Sequence, residues 1–442
     1  MQNKRPDASL SLALLPGVVL AGVVLRLILT ISAGNGMRTP WGGGGDTGAY
    51  LTLARNLLEG RGYAYAGQPT ALRPPLYPIL LAGFIEVFGR HALAGVRWLQ
   101  FFEGLGVAFL CSAVAGKVYG DEAKKAALAI VLFFPPLVLL SGEILTETTA
   151  SLISAFFLYL LVLHIDQPQW ITLAGLSAAV GIAALVRFNM ALLGFVVLWV
   201  VLFQQKGLPR WRSATIAIFL PILVISPWLI RNLVVFHGSA LFSTHGGMNA
   251  LLGIVTPQGR ALPDDSAKLR AILGWVPPVE LETNAPSRDR LPDEPTLDRE
   301  CRKAAFQVWR ETGWGLVPIT LAKLSTFWLS TDQLFWTQSF PPLQRATRGG
   351  GVLVYWALLA LAVAGWFRMR TRKPQLARLV LFYFLLVTVL HAPFVMNTRL
   401  RVPFTDPWLA VLAGLGVLCV MARGPAEVSG PASRSLVQRR GF

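Results

Sequence analysis

The sequence predicts an all-α polytopic membrane protein of about ten transmembrane helices with two large outer loops, and three observations carry that prediction. Of its 442 residues 54% are hydrophobic and only 14% charged, against about 25% charged in a soluble domain. The apolar residues gather in runs long enough to cross about 30 Å of hydrocarbon. The 40 Lys and Arg outnumber the 23 Asp and Glu for a net charge of +17, and they alternate between connections as span-orienting residues do. A soluble enzyme of this length needs a larger polar surface, and so apolar a chain is not disordered. The positive charge therefore does not imply nucleic acid. Cys111, Cys301 and Cys419 show no pairing or metal-ligand spacing, so no disulfide framework is expected.

The apolar runs cover 10–32, 98–116, 126–141, 149–165, 170–186, 190–204, 214–230, 352–367, 377–396 and 404–422. The first is too long for a signal peptide, contains Arg26 and lacks a small-x-small cleavage site, so it is read as a span. With the N-terminus in the cytoplasm, the inner segments carry Lys4, Arg5, Lys117, Lys124, Lys125, Lys206, Arg210, Arg212, Arg368, Arg370, Arg372, Lys373, Arg378, Arg423, Arg434, Arg439 and Arg440. The short outer connections carry only Arg187, Arg399 and Arg401. That bias favours ten spans with both termini inside.

The expected organisation is a first span (1–32), a first outer loop with juxtamembrane helices (33–97), spans two to seven (98–230), a large outer loop (231–351), spans eight to ten (352–422) and a basic cytoplasmic tail (423–442). Within 231–351 lie 11 of the 23 acidic residues and a Pro-rich stretch, which together suggest a mobile lid between ordered ends. The stretch 316–336 is read as a surface or re-entrant helix, because a span there would move the RMRTRK cluster to the outer side. Its Trp314, Trp328 and Trp336 suit an interface.

Three groups of residues carry chemistry. In WGGGGDTGAY (41–50), four glycines precede Asp46 and let the backbone approach a ligand, and Tyr50 lies one helical turn on. Asp46 is either the N-cap of a helix over 47–59 or a reacting carboxylate at the membrane surface. In SGEILTETT (141–149), Glu143 and Glu147 are four apart at an outer interface, where acidic groups usually mark functional sites, with a pair of solvated carboxylates in a tight turn as the alternative. With Asp46 they form a potential carboxylate cluster, able to bind a divalent cation or to raise one member's pKa. The third group is basic. Arg187, Arg231, Arg399 and Arg401 sit at outer span ends against the topological bias, which suggests a phosphate-bearing ligand, with snorkelling to headgroups as the alternative. RPPLYP (73–78) is an architectural hinge, ending one helix and starting another, with Arg73 a possible substrate contact. His237 and His245 flank a loop with no carboxylate at metal-ligand spacing. No Walker loop, dinucleotide fingerprint or metalloprotease helix is present.

The order of one span, GDTGAYLTLARNLLEGRGY, RPPLYPILLAGFIEVFG, SGEILTETT and a late NTRLRVPF resembles the GT-C superfamily of membrane glycosyltransferases. Within it the sequence looks like the branch with the protein O-mannosyltransferases and the bacterial lipid A aminoarabinose transferase. The resemblance covers nearly the whole chain and is tightest over 40–150. It implies a GT-C fold and a polyprenyl-phosphate-linked sugar donor used, with inversion, on the outer face of the cytoplasmic (inner) membrane. By position, Asp46 matches the first-loop aspartate that activates the acceptor. Glu143 and Glu147 fall where the family has a further acidic residue, and Arg399 and Arg401 correspond to late basic residues near the lipid phosphate. Tyr50, Arg73, Arg187 and Arg231 are further candidate substrate contacts. Where the family often has two adjacent acids, this chain has Asp46 and Thr47. That leaves open a divalent cation, for which Asp46 and Glu147 would be the ligands.

The expected partners are therefore a polyprenyl-phosphate sugar, a lipid, glycan or protein acceptor, and membrane lipid, with no nucleotide and no nucleic acid. A general base contributes about 10²–10⁴-fold, and outer arginines stabilise the departing phosphate. A transporter or flippase of lipid-linked saccharides, or a glycan ligase, is the alternative. Transporter folds usually show paired repeats around a midplane site, and no repeat relates the two halves here.

Overall fold

A computed structural model describes residues 8–37, 46–255, 293–330, 341–396 and 398–421. Lys4 and Arg5, the glycines of 41–45, the Pro-rich stretch up to residue 292, Trp336 and the basic tail from Arg423 lie outside the described residues. Each of the ten apolar runs lies largely on helix, although 377–396 outruns its helix at His391. Among the described residues seven helical stretches are long and apolar enough to span: Leu15–Ala33, Leu76–Tyr119, Glu147–Asp166, Arg210–Val235, Val352–Arg372, Pro374–His391 and Thr398–Val420. An eighth candidate is the bent pair Asp121–Phe133 and Pro135–Gly142, and Trp170–Val186 and Phe188–Gln204 are shorter apolar helices.

The first helix, α1 (Ala8–Ala33), enters the bundle. Then come α2 (Thr47–Leu58), a two-stranded antiparallel hairpin of β1 (Ala64–Tyr65) and β2 (Gln68–Pro69), and α3 (Leu76–Phe88). The RPPLYP motif does start a helix, since Pro75 is the N-cap residue of α3. What precedes it is the hairpin and not a helix. A short 3₁₀ turn, with Gly89 at φ +51°, links α3 to α4 (Ala92–Tyr119). The run 98–116 is thus part of a longer apolar stretch beginning at Leu76.

α5 (Asp121–Phe133) and α6 (Pro135–Leu139) are bent by 55° at the Phe134–Pro135 junction. Phe134 is extended, as a residue before proline prefers. The helical hydrogen-bond ladder is interrupted at the bend, where Phe134 N reaches Val131 O only at 3.4 Å, and the carbonyls there are met by Arg26 of α1, which is 1% exposed. Its Nε donates to Leu132 O (3.3 Å), Nη1 to Leu137 O (3.4 Å) and Nη2 to Val131 O (2.8 Å). In hydrocarbon, where no water reaches such groups, a buried guanidinium fills that need. Gly104 of α4 makes the room: a Cβ there would lie 2.6 Å from Arg26 Nη1.

α7 (Glu147–Asp166), α8 (Trp170–Val186), α9 (Leu193–Trp199) and α10 (Arg210–Val235) follow. The loop segment then forms α11 (Gly246–Val255), α12 (Glu294–Thr312) and α13 (Leu316–Leu329). α13 has 14 residues, with Lys323 and Phe327 buried, and the rest of the stretch 316–336 beyond Ser330 lies outside the described residues. α14 (Pro341–Arg372), α15 (Pro374–His391) and α16 (Thr398–Met421) close the bundle. α14 and α16 approach through glycines, as helices packed in a membrane often do. A Cβ on Gly365 would lie 1.8 Å from Leu412 O, and one on Gly416 would lie 1.9 Å from Leu361 O.

The bundle has two chemically distinct ends. At one, Tyr119 Oη donates to Arg368 O (2.7 Å) and Lys373 pairs with Asp166 (2.6 Å). At the other, the N-termini of α2, α7 and α16 converge.

Candidate functional site

Five charged side chains from five places in the chain meet at that second end. Asp46 occupies the N-cap position of α2 but makes no side-chain cap hydrogen bond. Its Oδ1 accepts from Arg73 Nη2 (2.5 Å), and its Oδ2 accepts from Arg399 Nη2. Arg73 precedes the Pro74–Pro75 turn, whose fixed φ values set its direction, and Arg399 lies in the first turn of α16. The Arg399 Nε lies 2.6 Å from Glu147 Oε1, an ion-pair contact without hydrogen-bond alignment. Arg187, an extended residue ending α8, completes the chain with Nη1 3.0 Å from Glu147 Oε1 and 2.9 Å from Thr146 Oγ1. Glu147 is the first residue of α7, where the helix dipole favours a carboxylate. Thr47 Oγ1 donates to Ile144 O (3.2 Å), docking the start of α2 on the turn before α7.

Three guanidiniums against two carboxylates leave the cluster with one net positive charge. The Glu147 side chain is 1% exposed, whereas those of Asp46, Arg399 and Arg73 are 19%, 22% and 26% exposed. The cluster is therefore sealed behind Glu147 and open on the Asp46 side. Burial alone would raise the Asp46 carboxyl, but Arg73 and Arg399 overcome it and hold the group well below the usual carboxylate range. Tyr50 lies under Arg73, whose guanidinium carbon is 5.7 Å from the ring centroid, and packs edge-on against Tyr77. Burial raises its phenol.

The remaining candidates lie elsewhere. Glu143 does not share a helical face with Glu147. The chain is in a 3₁₀ turn over Leu140–Gly142 and extended at Glu143, and α7 begins only at Glu147, so the i, i+4 geometry is never formed. That turn is held from α4 instead, by Arg97 Nε to Gly142 O (2.7 Å) and Gln100 Nε2 to Ser141 O (2.9 Å). Arg401 is fully buried, pairs with Asp406 (3.2 Å), donates to Phe327 O (2.6 Å) and lies over the Tyr355 ring at 4.3 Å. It joins α13, α14 and α16 and is not part of the cluster. Arg231 clasps the hairpin: Nη1 donates to Thr70 O and Nη2 to Tyr63 O, both at 2.8 Å, with Tyr63, Trp228 and Phe236 around the guanidinium.

His245 is the residue whose place the sequence did not reveal. Thr244 N donates to Ala71 O (3.3 Å), and Glu294 Oε2 accepts from both Thr244 Oγ1 (3.0 Å) and Ala71 N (3.1 Å). These bonds bring His245 into the electrostatic field of Arg73 and Asp46. Burial first, then Arg73, lowers its imidazole to about 4, so it is neutral at physiological pH. The only hint was its place in a loop rich in glycine and hydroxyls.

The residues do not fit a divalent cation between Asp46 and Glu147, because the Arg399 guanidinium bridges the two carboxylates. Among the described residues no group of three or more His, Cys, Asp or Glu side chains is arranged to hold a metal.

Comparison with known proteins adds three findings. Residues 72–230 match the family model described as dolichyl-phosphate-mannose-protein mannosyltransferase. No curated protein sequence matches the chain. Among solved structures, the apo oligosaccharyltransferase of Archaeoglobus fulgidus aligns over 94% of this chain and 51% of its own, with a TM-score of 0.54 and 12% identity. This chain thus spans about half the length of that enzyme. ArnT from Cupriavidus metallidurans aligns over 93% of this chain and 78% of its own when bound to undecaprenyl phosphate, with a TM-score of 0.41 and 16% identity. Its apo state aligns over 91% and 78%, with a TM-score of 0.40 and 17% identity.

Proposed function

We propose that this chain, a multi-pass membrane protein with the GT-C glycosyltransferase fold, transfers a sugar from a polyprenyl-phosphate-linked donor to an acceptor hydroxyl at the outer face of the cytoplasmic membrane. One observation carries the reading: the chain Arg73–Asp46–Arg399–Glu147–Arg187, which sets an accessible carboxylate among guanidiniums with one positive charge in excess. The mannosyltransferase-family match over 72–230 includes Arg73, Glu147 and Arg187 and supports a polyprenyl-phosphate sugar as donor. The sidedness rests on the basic end of the bundle. Lys373, Arg368 and Arg372 gather opposite the cluster, and basic ends face the cytoplasm.

In this reaction the acceptor oxygen attacks the anomeric carbon and its proton passes to Asp46. The carbon–oxygen bond to phosphate breaks, and polyprenyl phosphate leaves with the electron pair. Attack opposite the leaving group inverts the anomeric centre. A carboxylate held by two guanidiniums is a weak base, so donor binding has to change its partners. The donor phosphate draws Arg73 and Arg399 towards itself, which strengthens Asp46 as a base at the moment it is needed. The same arginines then stabilise the charge that develops on the departing phosphate. Glu147, sealed behind them, keeps Arg187 in place.

The test is mass spectrometry of the lipid that copurifies with the protein. A polyprenyl-phosphate sugar should be retained by the wild type and depleted in Arg399→Gln. Retention of phospholipid alone, or equal donor retention in Arg399→Gln, contradicts the reading.

A further inference from the structure

We propose that a groove at the basic end of the bundle binds the phosphate headgroup of an anionic membrane phospholipid. Three candidate spans finish there, at Tyr119, Arg372 and Val420. Between their ends lies a cavity of about 860 Å³, walled by Val363, Phe367 and Val420 and edged by Tyr119, Arg368 and Arg372. Small-molecule pockets run from about 300 to 1,000 Å³, so the space suits a headgroup with the start of its acyl chains. Its depth is that of the membrane interface, where tyrosine and arginine meet lipid phosphates.

The charges point to the occupant. The Arg368 and Arg372 guanidinium carbons lie 5.0 and 4.5 Å from the centroid of the one Tyr119 ring. Two like charges, one helical turn apart on α14, thus pack on a single ring. Among the described residues neither has a carboxylate within ion-pair distance, although neighbouring Lys373 pairs with Asp166 at 2.6 Å. Arg368 Nη1 meets the Cys419 thiol at 3.8 Å, a weak acceptor. A phosphate offers both guanidiniums a bidentate partner. The apolar wall then selects a lipid over a free anion, since inorganic phosphate gains nothing from Val363, Phe367 or Val420. The groove is distinct from the Asp46 cluster: α16 carries Arg399 in its first turn and Cys419 near its last, about 30 Å apart at 1.5 Å per residue.

The experiment is native mass spectrometry of the full chain released from detergent containing phosphatidylglycerol, phosphatidylcholine or inorganic phosphate. The wild type should hold one phosphatidylglycerol in preference to phosphatidylcholine. The double variant Arg368→Gln, Arg372→Gln should weaken that binding at least about tenfold, two charged hydrogen-bonding partners being lost. Val363→Trp, which fills the groove and leaves the charge intact, should also weaken it. Arg212→Gln, at an arginine stacked on Trp211 outside the groove, should not. Equal retention of phosphatidylcholine, displacement by millimolar inorganic phosphate, binding unchanged in Val363→Trp, or an equal loss in Arg212→Gln overturns the proposal.

Discussion

At Asp46 a cap and a reacting group differ by one hydrogen bond. The residue stands at the N-cap position of α2, yet its carboxylate turns to Arg73 and Arg399 and leaves the helix uncapped. The sequence showed the position and both options, but the partners lie 27 and 353 residues away, so spacing could not choose between them. Arg399 and Arg401 teach a related lesson. On a helix, residues two apart face nearly opposite ways, and α16 begins at Thr398, not at 404 as the apolar run suggested. One arginine therefore reaches the cluster and the other the core. Arg399→Gln is expected to lower transfer while the protein stays folded. Arg401→Gln leaves Asp406 buried without its ion-pair partner and should destabilise the fold by about 3–5 kcal/mol, as measured by denaturant unfolding. The pH dependence follows from two lowered groups. Asp46, held down by its arginines, stays ionised in the free enzyme, and His245, lowered to about 4, stays neutral. The acid limb of kcat/KM should then be absent between pH 8 and 5; an acid limb in that range that disappears in His245→Gln would contradict the neutral His245, and one that persists there would contradict the ionised Asp46. For stability the sign is the same: the unfolded histidine takes up a proton near 6.5 and the folded one only near 4. His245 therefore costs stability as pH falls through that window.

Among the helices, the apolar runs were legible because crossing hydrocarbon demands length and apolarity, yet among the described residues seven helical stretches, or eight with the bent pair, meet that demand and not the ten expected. The breaks within them were less so. The run 126–141 was read as unbroken, whereas the chain bends before Pro135, and the residue that makes the bend tolerable is Arg26, more than a hundred positions earlier, which only the fold brings to the carbonyls of Val131, Leu132 and Leu137. Arg26→Leu should therefore lower the thermal stability of the purified protein sharply, because three backbone acceptors lose a partner inside the membrane. The α14–α16 crossing was invisible for the same reason, since Gly365 and Gly416 look ordinary in sequence. Gly416→Val would drive side-chain atoms into Leu361 O and should reduce the amount of folded protein, read as the monodisperse fraction after detergent extraction. Normal yield and melting temperature in that variant would refute the close approach.

Over the whole molecule, charge asymmetry and site geometry describe one orientation. The arginines and lysines that crowd one end leave the other to a cluster fed by α2, the loop before α3, α7, α8 and α16. A loop segment built from α11 and α12 lies against it through Thr244 and Glu294. In a variant freed of its native cysteines, Arg61→Cys and Lys117→Cys should react with a membrane-impermeant maleimide from opposite faces, with Arg61→Cys on the outside. Labelling from one and the same face would dismantle the topology. The central claim is that Asp46 accepts the acceptor's proton, and the direct measurement is label transfer from a radiolabelled polyprenyl-phosphate sugar by reconstituted wild type and Asp46→Asn, with donor binding followed in parallel. Transfer should fall by at least about 10²-fold with donor affinity retained within a few-fold; undiminished transfer by Asp46→Asn would rule out the base role of Asp46.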